Sequence, residues 1–275
     1  MIFLVIAIFS LIGLIAGFFA GLLGIGGGII VVPSLFYFMH LFFPASNFTM
    51  QFSAANALAS MVVTTFFSMV SHQKRAGIEW ALVKKMLAGI ALGSLLGVFL
   101  TQFLKSSYVE SFFGVFLILN SFSFILGKDR SLDNHHKYRE PTPLLASAVG
   151  LSISSLSSIL GIGGGVLSVQ FFHKIHLNIK KSIATASALS FFVSLCGSIC
   201  YLTVNQQKPL GSLNGLSFAL GPIYLPAFVL ISAFSALSAP IGTKLVHMLD
   251  TKIIKRIFGC VTLMIGSYMI IRTYM

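Results

Sequence analysis

Long apolar runs alternate with short polar segments along the whole chain, and this pattern predicts a bundle of membrane-spanning helices. The runs are continuous and rich in Leu, Ile and Phe. The strands of a membrane β-barrel would instead alternate apolar and polar residues over segments of about ten positions. Eight apolar blocks can be delimited, at residues 2–43, 52–71, 80–104, 108–126, 143–172, 183–204, 216–246 and 254–273.

The eight blocks fall into two sets of four that share sequence features. The hexapeptide "LGIGGG" occurs at Leu23–Gly28 and again at Leu160–Gly165, 137 positions later. Two further matches follow in the same order: "NALAS" (56–60) with "SALSF" (187–191), and Gly97 before "FFG" with Gly242 before "IFG". Matches that recur in order predict an internal duplication. We therefore divide the chain into a first repeat (1–126), a cytoplasmic linker (127–142) and a second repeat (143–275).

Composition and charge agree with a membrane location. The chain is 56% hydrophobic and only 9% charged, which leaves too little polar surface to cover a soluble domain. Its net charge of +12 comes from Lys and Arg in short loops between apolar blocks, which indicates membrane orientation and not nucleic-acid binding. The sequence thus predicts an all-α polytopic protein of the bacterial cytoplasmic membrane, with the lipid bilayer as its surroundings.

The loop charges predict that the two repeats have inverted topology. One basic cluster lies in the first repeat, at 74–85, and one in the linker, at 128–139. Two more lie in the second repeat, at 174–181 and 252–256. If all four are cytoplasmic, block 143–172 begins and ends on the cytoplasmic side, and by symmetry block 2–43 begins and ends outside. Each repeat then comprises a glycine-broken helix block plus three transmembrane helices, about 8–10 membrane segments in total. Within each broken block, two short or half-length helices meeting at the glycines are expected, and the sequence leaves open whether the block re-enters or crosses the membrane twice.

The broken blocks are the candidate binding site. Inverted repeats place equivalent elements at a common midplane site, and a helix that restarts after a break directs free N–H groups and a positive dipole end toward it. The backbone candidates are Gly26, Gly27, Gly28, Gly163, Gly164 and Gly165. The side-chain candidates are Asn56 and Ser60, followed by Thr64, in the first repeat, and Ser187 and Ser190, followed by Ser194, in the second. Hydrogen bonding between helices is the alternative role of these polar side chains, and packing is the expected role of the run Gly13, Gly17 and Gly21.

Three stretches carry a family resemblance: "GLLGIGGGIIVVP" (21–33), the second "LGIGGG", and "HQKRAGIEW" (72–80). The chain resembles the sulfite exporter TauE/SafE family of anion permeases over nearly its whole length. The resemblance implies a permease for sulfur-containing anions such as sulfite and organosulfonates, usually exported. Pro33 ends the first motif, whereas the matching position in the second repeat is Gln170. The two half-sites are therefore expected to differ, and Gln170 is a candidate polar contact to the substrate.

We expect a permease that moves a small oxyanion, sulfite or an organosulfonate, outward by alternating access at a midplane site. The six carboxylates lie at or near block ends, so none is expected to be buried or to couple transport to a cation. Import of a sulfur-containing anion and a non-transporting scaffold or accessory subunit are the alternatives. The seven histidines lie at block edges, which predicts no enzyme, no metal and no cofactor. The sequence leaves open whether the protein forms a homo-oligomer.

Overall fold

The computed structural model describes residues 2–42, 48–75, 77–126, 138–204, 219–246 and 251–274. These residues form ten helices and one short hairpin. The helices are α1 (Ile2–Leu23), α2 (Gly28–Phe42), α3 (Thr49–Gln73), α4 (Trp80–Thr101), α5 (Ser106–Leu126), α6 (Pro143–Leu160), α7 (Gly165–Lys174), α8 (Ile179–Val204), α9 (Leu225–Val246) and α10 (Thr251–Tyr274). Strands β1 (Ala219–Leu220) and β2 (Ile223–Tyr224) pair antiparallel just before α9. Of the predicted linker 127–142, only residues 138–142 are among those described.

Eight of the described helices are long and apolar enough to cross a membrane, which confirms the all-α polytopic class. The two exceptions are α2 and α7, the helices that follow the glycine motifs. Each motif ends one helix and the next helix begins at Gly28 or at Gly165, as predicted. The expectation of two half-length helices is wrong, because α1 and α6 extend for about 33 and 27 Å. Only the returning helices are short, at about 22 Å for α2 and 15 Å for α7.

Each glycine-broken block folds back on itself as a helical hairpin. In the first, the rings of Phe9 on α1 and Phe38 on α2 lie 4.8 Å apart. In the second, the amide of Arg139, just before α6, donates a hydrogen bond to the carbonyl of Ile175, just after α7. Each block therefore begins and ends at the same end of the molecule, as the loop charges predict.

Glycines make close helix contacts. Along α1, a Cβ atom at Gly13 would lie 2.7 Å from the carbonyl oxygen of Ile231, and Gly17 and Gly21 meet the next two turns of α9 in the same way. The packing role expected for this run is thus confirmed. Gly89, Gly93 and Gly97 of α4 contact the backbone of α6 similarly. Small residues allow such close backbone approach in membranes.

Corresponding positions of the two halves make corresponding contacts. Contacts between α1 and α9 have counterparts between α6 and α4, with offsets of 137 positions from α1 to α6 and of 145 from α4 to α9. The contact of Gly13 with Ile231 corresponds to that of Gly150 with Met86. Likewise, the contact of Gly97 with Ser155 corresponds to that of Gly242 with Phe18. Helices α5 and α10 run antiparallel, since Gly114 lies near Gly266 and Gly259 lies near Ser121.

Helices α2 and α7 leave the glycine motifs toward opposite ends of α4. The end of α7 lies with the start of α4 at what we call the basic end, comprising residues 73–75, 77–85, 138–143 and 173–181. Here Lys85 pairs with Glu140 at 2.5 Å and Lys181 with Glu79 at 3.7 Å. The last turn of α2 lies at the opposite end of the molecule, which we call the outer end and which includes residues 48–50, 102–110 and 272–273. Because Lys and Arg concentrate at the basic end, the prediction from the positive-inside rule stays that this end faces the cytoplasm.

The hairpin β1–β2 is anchored by Asn56 of α3. The Asn56 amide donates to the carbonyl of Pro222 at 2.8 Å and accepts from the amide of Tyr224 at 2.8 Å. Its remaining N–H bonds the carbonyl of Phe52 within the helix. Residues 219–224 had been expected to continue the apolar block 216–246 as helix. The hydrogen bonds of the buried Asn56 side chain instead hold these residues as a hairpin over α3.

Replacement of Asn56 by Ala is expected to loosen the hairpin. The Pro222 carbonyl and the Tyr224 amide would lose their partner, at a cost of about 1–3 kcal/mol. Hydrogen exchange of the purified protein should show faster exchange at Tyr224. Asn178→Ala is the control, because that exposed side chain bonds only the nearby amide of Lys180. Unchanged exchange at Tyr224 would contradict the anchoring role.

Candidate functional site

Two glycine loops, residues 24–28 and 161–165, connect the helices of the two hairpins. Both loops turn sharply because three glycines in each have a positive φ, a conformation that L side chains rarely adopt. They are Gly24, Gly26 and Gly27, and Gly161, Gly163 and Gly164. All ten loop residues are buried. The consecutive glycines are thus required by the backbone conformation, beyond what helix packing needs.

The two loops interlock by backbone contact. A Cβ atom at Gly28 would lie 2.5 Å from the carbonyl oxygen of Gly161 and 2.8 Å from the Cα atom of Ile162. A Cβ atom at Gly165 would meet the Gly24 carbonyl and would lie 2.6 Å from the Cα atom of Ile25. The contacts are reciprocal, since each member of one set lies 137 positions from its counterpart. Two segments far apart in the sequence therefore form one structural unit.

The N-termini of α2 and α7 meet at this unit. In α2 the amides of Ile30 and Val31 bond the carbonyl of Gly27. Among the residues the structure describes, the buried residues Gly28 and Ile29 donate no backbone hydrogen bond through their amides, and the same holds for Gly165 and Val166. Free, buried N–H groups at a helix N-terminus are donors suited to an anion.

Side chains of α3 and α8 fill the space beside the loops. The Met61 side chain, only 1% exposed, contacts both loops. A Cβ atom at Gly26 or at Gly163 would meet its methyl group, and one at Gly28 would lie 2.8 Å from its sulfur. Ser190 takes the corresponding place on α8, with its Oγ 2.7 Å from a Cβ at Gly165. The site is therefore bounded by a thioether on one side and a hydroxyl on the other.

A second contact between α3 and α8 lies next to Met61 and Ser190. The hydroxyls of Thr65 and Ser194 are 3.4 Å apart, and each also bonds a carbonyl of its own helix, of Met61 and of Ser190. Ser194 belongs to the predicted polar face, whereas Thr65 does not. The two hydroxyls join the helices directly beside the glycine loops.

The structure brings five of the eleven predicted site residues together and gives the others different neighbours. The five are Gly26, Gly28, Gly163, Gly165 and Ser190. Gly27 and Gly164 face their own hairpins, against Ala16 and Ile153. Asn56 holds the β-hairpin, Ser187 bonds the carbonyl of Ala184, and Gln170 donates to Asn120 of α5 at 2.9 Å. The Ser60 hydroxyl is buried and has no partner among the described residues.

Sequence reasoning missed Met61 and Thr65 because it aligned α3 and α8 in a different register. The match of 56–60 with 187–191 implies an offset of 131. The contacts instead pair Met61 with Ser190, and Thr65 with Ser194, at an offset of 129. Two residues turn a helix by about 200°, so the sequence match selected a different face of α3.

Glu110 corrects the expectation about carboxylates. It does lie near a block end, one turn into α5, but its side chain is only 7% exposed. The premise that the chain has no buried carboxylate is therefore wrong. The helix packing around the start of α5 buries a residue that hydropathy alone places at a membrane surface.

Helical hairpins that meet at broken, glycine-rich loops within a bundle of eight spans define a class of protein, the polytopic membrane transporters. Comparison with known sequences identifies the family. The profile of the sulfite exporter TauE/SafE family matches residues 9–269, so the chain belongs to that family. It is thus a multi-pass membrane transporter and not an enzyme.

Relatives similar over their full length carry consistent names. A "probable membrane transporter protein" of Haemophilus influenzae is 27% identical over 95% of this chain and 97% of its own length. YunE of Bacillus subtilis, with the same description, is 27% identical over 96% of each chain. A third, from Methanocaldococcus jannaschii, is 24% identical over 98% of this chain and 96% of its own. No solved structure matches the chain significantly.

Proposed function

We propose that the interlocked glycine loops form the substrate site of a permease for a small oxyanion, sulfite or an organosulfonate. The observation that carries this proposal is the meeting of two helix N-termini whose first amides belong to buried residues and make no backbone hydrogen bond within the described part of the chain. The dipole ends and the N–H groups favour negative charge. Ser190 and Thr65 add hydroxyl groups at the same place. The name of the matching family supports a sulfur oxyanion as the substrate.

Two inverted repeats and a midplane location are part of the proposal. They are supported by the reciprocal contacts of the halves and by the antiparallel course of α5 and α10. The lengths of α2 and α7 add further support. These helices run from the loops toward opposite ends, over about 22 and 15 Å, which together approach the thickness of a bilayer. Rocking of one half against the other would then expose the site alternately.

Outward transport is the direction we propose. A membrane potential, negative inside, favours the exit of an anion by about 2.3 kcal/mol per charge per 100 mV. Import of an anion would run against the membrane potential and would therefore need a coupling ion. Because Glu110 is a buried carboxylate, import coupled to a cation is the second candidate.

Counter-flow in proteoliposomes tests the function. Vesicles loaded with unlabelled sulfite or an organosulfonate should accumulate the labelled anion from outside when the full-length protein is present. Protein-free vesicles and vesicles with heat-denatured protein are the controls. If no anion in a panel of sulfur and other small oxyanions is exchanged, the scaffold role is favoured and the proposal is wrong.

The dependence on membrane potential tests the direction. For an uncoupled monoanion, we expect the equilibrium ratio of external to internal anion to rise about 50-fold per 100 mV, negative inside. A potassium gradient with valinomycin sets the potential, and labelled methanesulfonate reports the ratio. A ratio independent of the potential would indicate charge-compensating coupling, and accumulation against the potential would indicate import.

A further inference from the structure

A polar cavity of about 720 Å³ lies at the outer end, apart from the glycine loops. The ends of α2 and α10, the start of α3 and the turn between α4 and α5 surround it. His40 on α2, one of its lining residues, is twelve residues from Gly28, or about 18 Å along the helix. The cavity volume is within the range of small-molecule sites.

The charges of the cavity favour an anion. Arg272 of α10 and Lys105 of the α4–α5 turn line it, whereas Glu110 is the one carboxylate among the described lining residues. The guanidinium of Arg272 lies 5.0 Å from the centroid of the Phe36 ring. This ring contact holds the guanidinium plane and leaves its edge for hydrogen bonds. A planar guanidinium binds oxyanions through two parallel hydrogen bonds.

Arg272 and Glu110 each retain an unused polar atom. Nη1 of Arg272 is buried and has no hydrogen-bond partner among the described residues. The same is true of Oε1 of Glu110. The two groups interact electrostatically, and Glu110 also accepts a hydrogen bond from the Thr273 side chain, yet Nη1 of Arg272 and Oε1 of Glu110 remain unpaired among the described residues. Unpaired polar atoms cost free energy in a buried environment, so a third group that pairs with the guanidinium would be favoured.

We propose that this cavity is a second, outer anion site, in which Arg272 binds a small oxyanion and Lys105 adds positive charge. The negative charge of Glu110 lies close to Arg272 and weakens the binding of the anion by repulsion. An anion leaving the glycine loops would bind here before release, and an external anion would bind here first. The inference depends on the proposed function only for the identity of the anion.

Three substitutions with opposite expected signs test the outer site. The half-saturation concentration of external methanesulfonate is measured by counter-flow, and binding to the full-length protein in nanodiscs by calorimetry. Arg272→Gln should raise the half-saturation concentration at least about tenfold, a loss of about 1.4 kcal/mol. Glu110→Gln should lower it several-fold, because a repulsive charge is removed. Arg256→Gln is the matched control, since it removes an exposed charge from the other end of the same helix.

The outcomes separate the outer site from the proposed function. A folded Arg272→Gln protein with unchanged half-saturation overturns the outer site, even if transport itself is intact. Loss of flux in Glu110→Gln would also overturn it, because that result assigns the carboxylate to cation coupling. If Arg272→Gln does not fold, Arg272→Lys and Lys105→Gln replace it and should each raise the half-saturation about threefold. Absence of flux in the wild type contradicts the proposed function, whereas the calorimetric comparison still decides the outer site.

Discussion

Alanine at both Gly28 and Gly165 is expected to reduce anion counter-flow by about 100-fold or more while leaving the protein in the membrane. A Cβ at Gly28 would lie 2.5 Å from the Gly161 carbonyl oxygen, and one at Gly165 would lie 2.6 Å from the Ile25 Cα atom. Both are closer than a Cβ atom tolerates, and the neighbours are backbone atoms that cannot rotate away. The loops must therefore separate, and a displacement on the order of 1 Å can cost about 100-fold in rate.

Gly28 and Gly165 give a cleaner test than the other loop glycines. Neither has a positive φ, so alanine introduces a clash between the loops without straining the turn. Substitutions at Gly27 and Gly164 would instead disturb each hairpin internally. Gly197→Ala is the matched control, because its Cβ would meet only the side chains of Leu58 and Ser158. Full counter-flow by the double alanine variant would contradict a substrate site at the loop contact.

Truncation of Met61 to Ala is expected to change which anions are transported. Its methyl group and sulfur occupy the space between Gly26, Gly28 and Gly163. Removing them enlarges the site by about three heavy atoms, and hydrophobic contacts of this size are worth about tenfold or more in selectivity. Flux of bulkier organosulfonates should therefore rise relative to that of sulfite. Truncation also costs about 2–5 kcal/mol of stability, so expression at reduced temperature is advisable.

Competition assays in proteoliposomes measure this change. Labelled sulfite is exchanged against methane-, ethane- and propanesulfonate, and the order of inhibition is compared between variants. Met61→Leu is the control, because it nearly conserves volume and should keep the wild-type order. An identical order in Met61→Ala would show that Met61 only packs and does not limit the size of the substrate.

Local patterns predicted much of the architecture. Apart from the block 216–246, which begins nine residues before α9, the bounds of the apolar blocks match those of the helices within them to a few residues, because lipid requires continuous apolar runs with internally satisfied hydrogen bonds. The glycine motifs marked both breaks, since no other residue adopts consecutive positive φ angles without strain. Loop charges predicted that block 143–172 begins and ends at one end, and the bond between Arg139 and Ile175 agrees.

The contents of the site were less predictable. Asn56 and Ser60 were selected from a sequence match whose register differs by two residues from that of the contacts. The hydroxyl of Thr65 and the thioether of Met61 carried no signal of their own, because Thr and Met are ordinary residues of a membrane helix. Glu110 was judged by its position near a block end, whereas its burial depends on the start of α3, the end of α10 and the α4–α5 turn.

The sequence by itself determined the membrane class, the eight spans, the two glycine breaks and the return of the block 143–172 to the end at which it begins. Each of these depends on the interaction of a short segment with lipid, water or its own backbone. Only the tertiary structure decided that the two loops interlock, that Met61 lies between them and that Arg272 faces Glu110 in an outer cavity. These contacts join residues far apart in the chain. They depend on the rotation of each helix about its axis, which a hydropathy pattern leaves open when a helix is apolar on all sides.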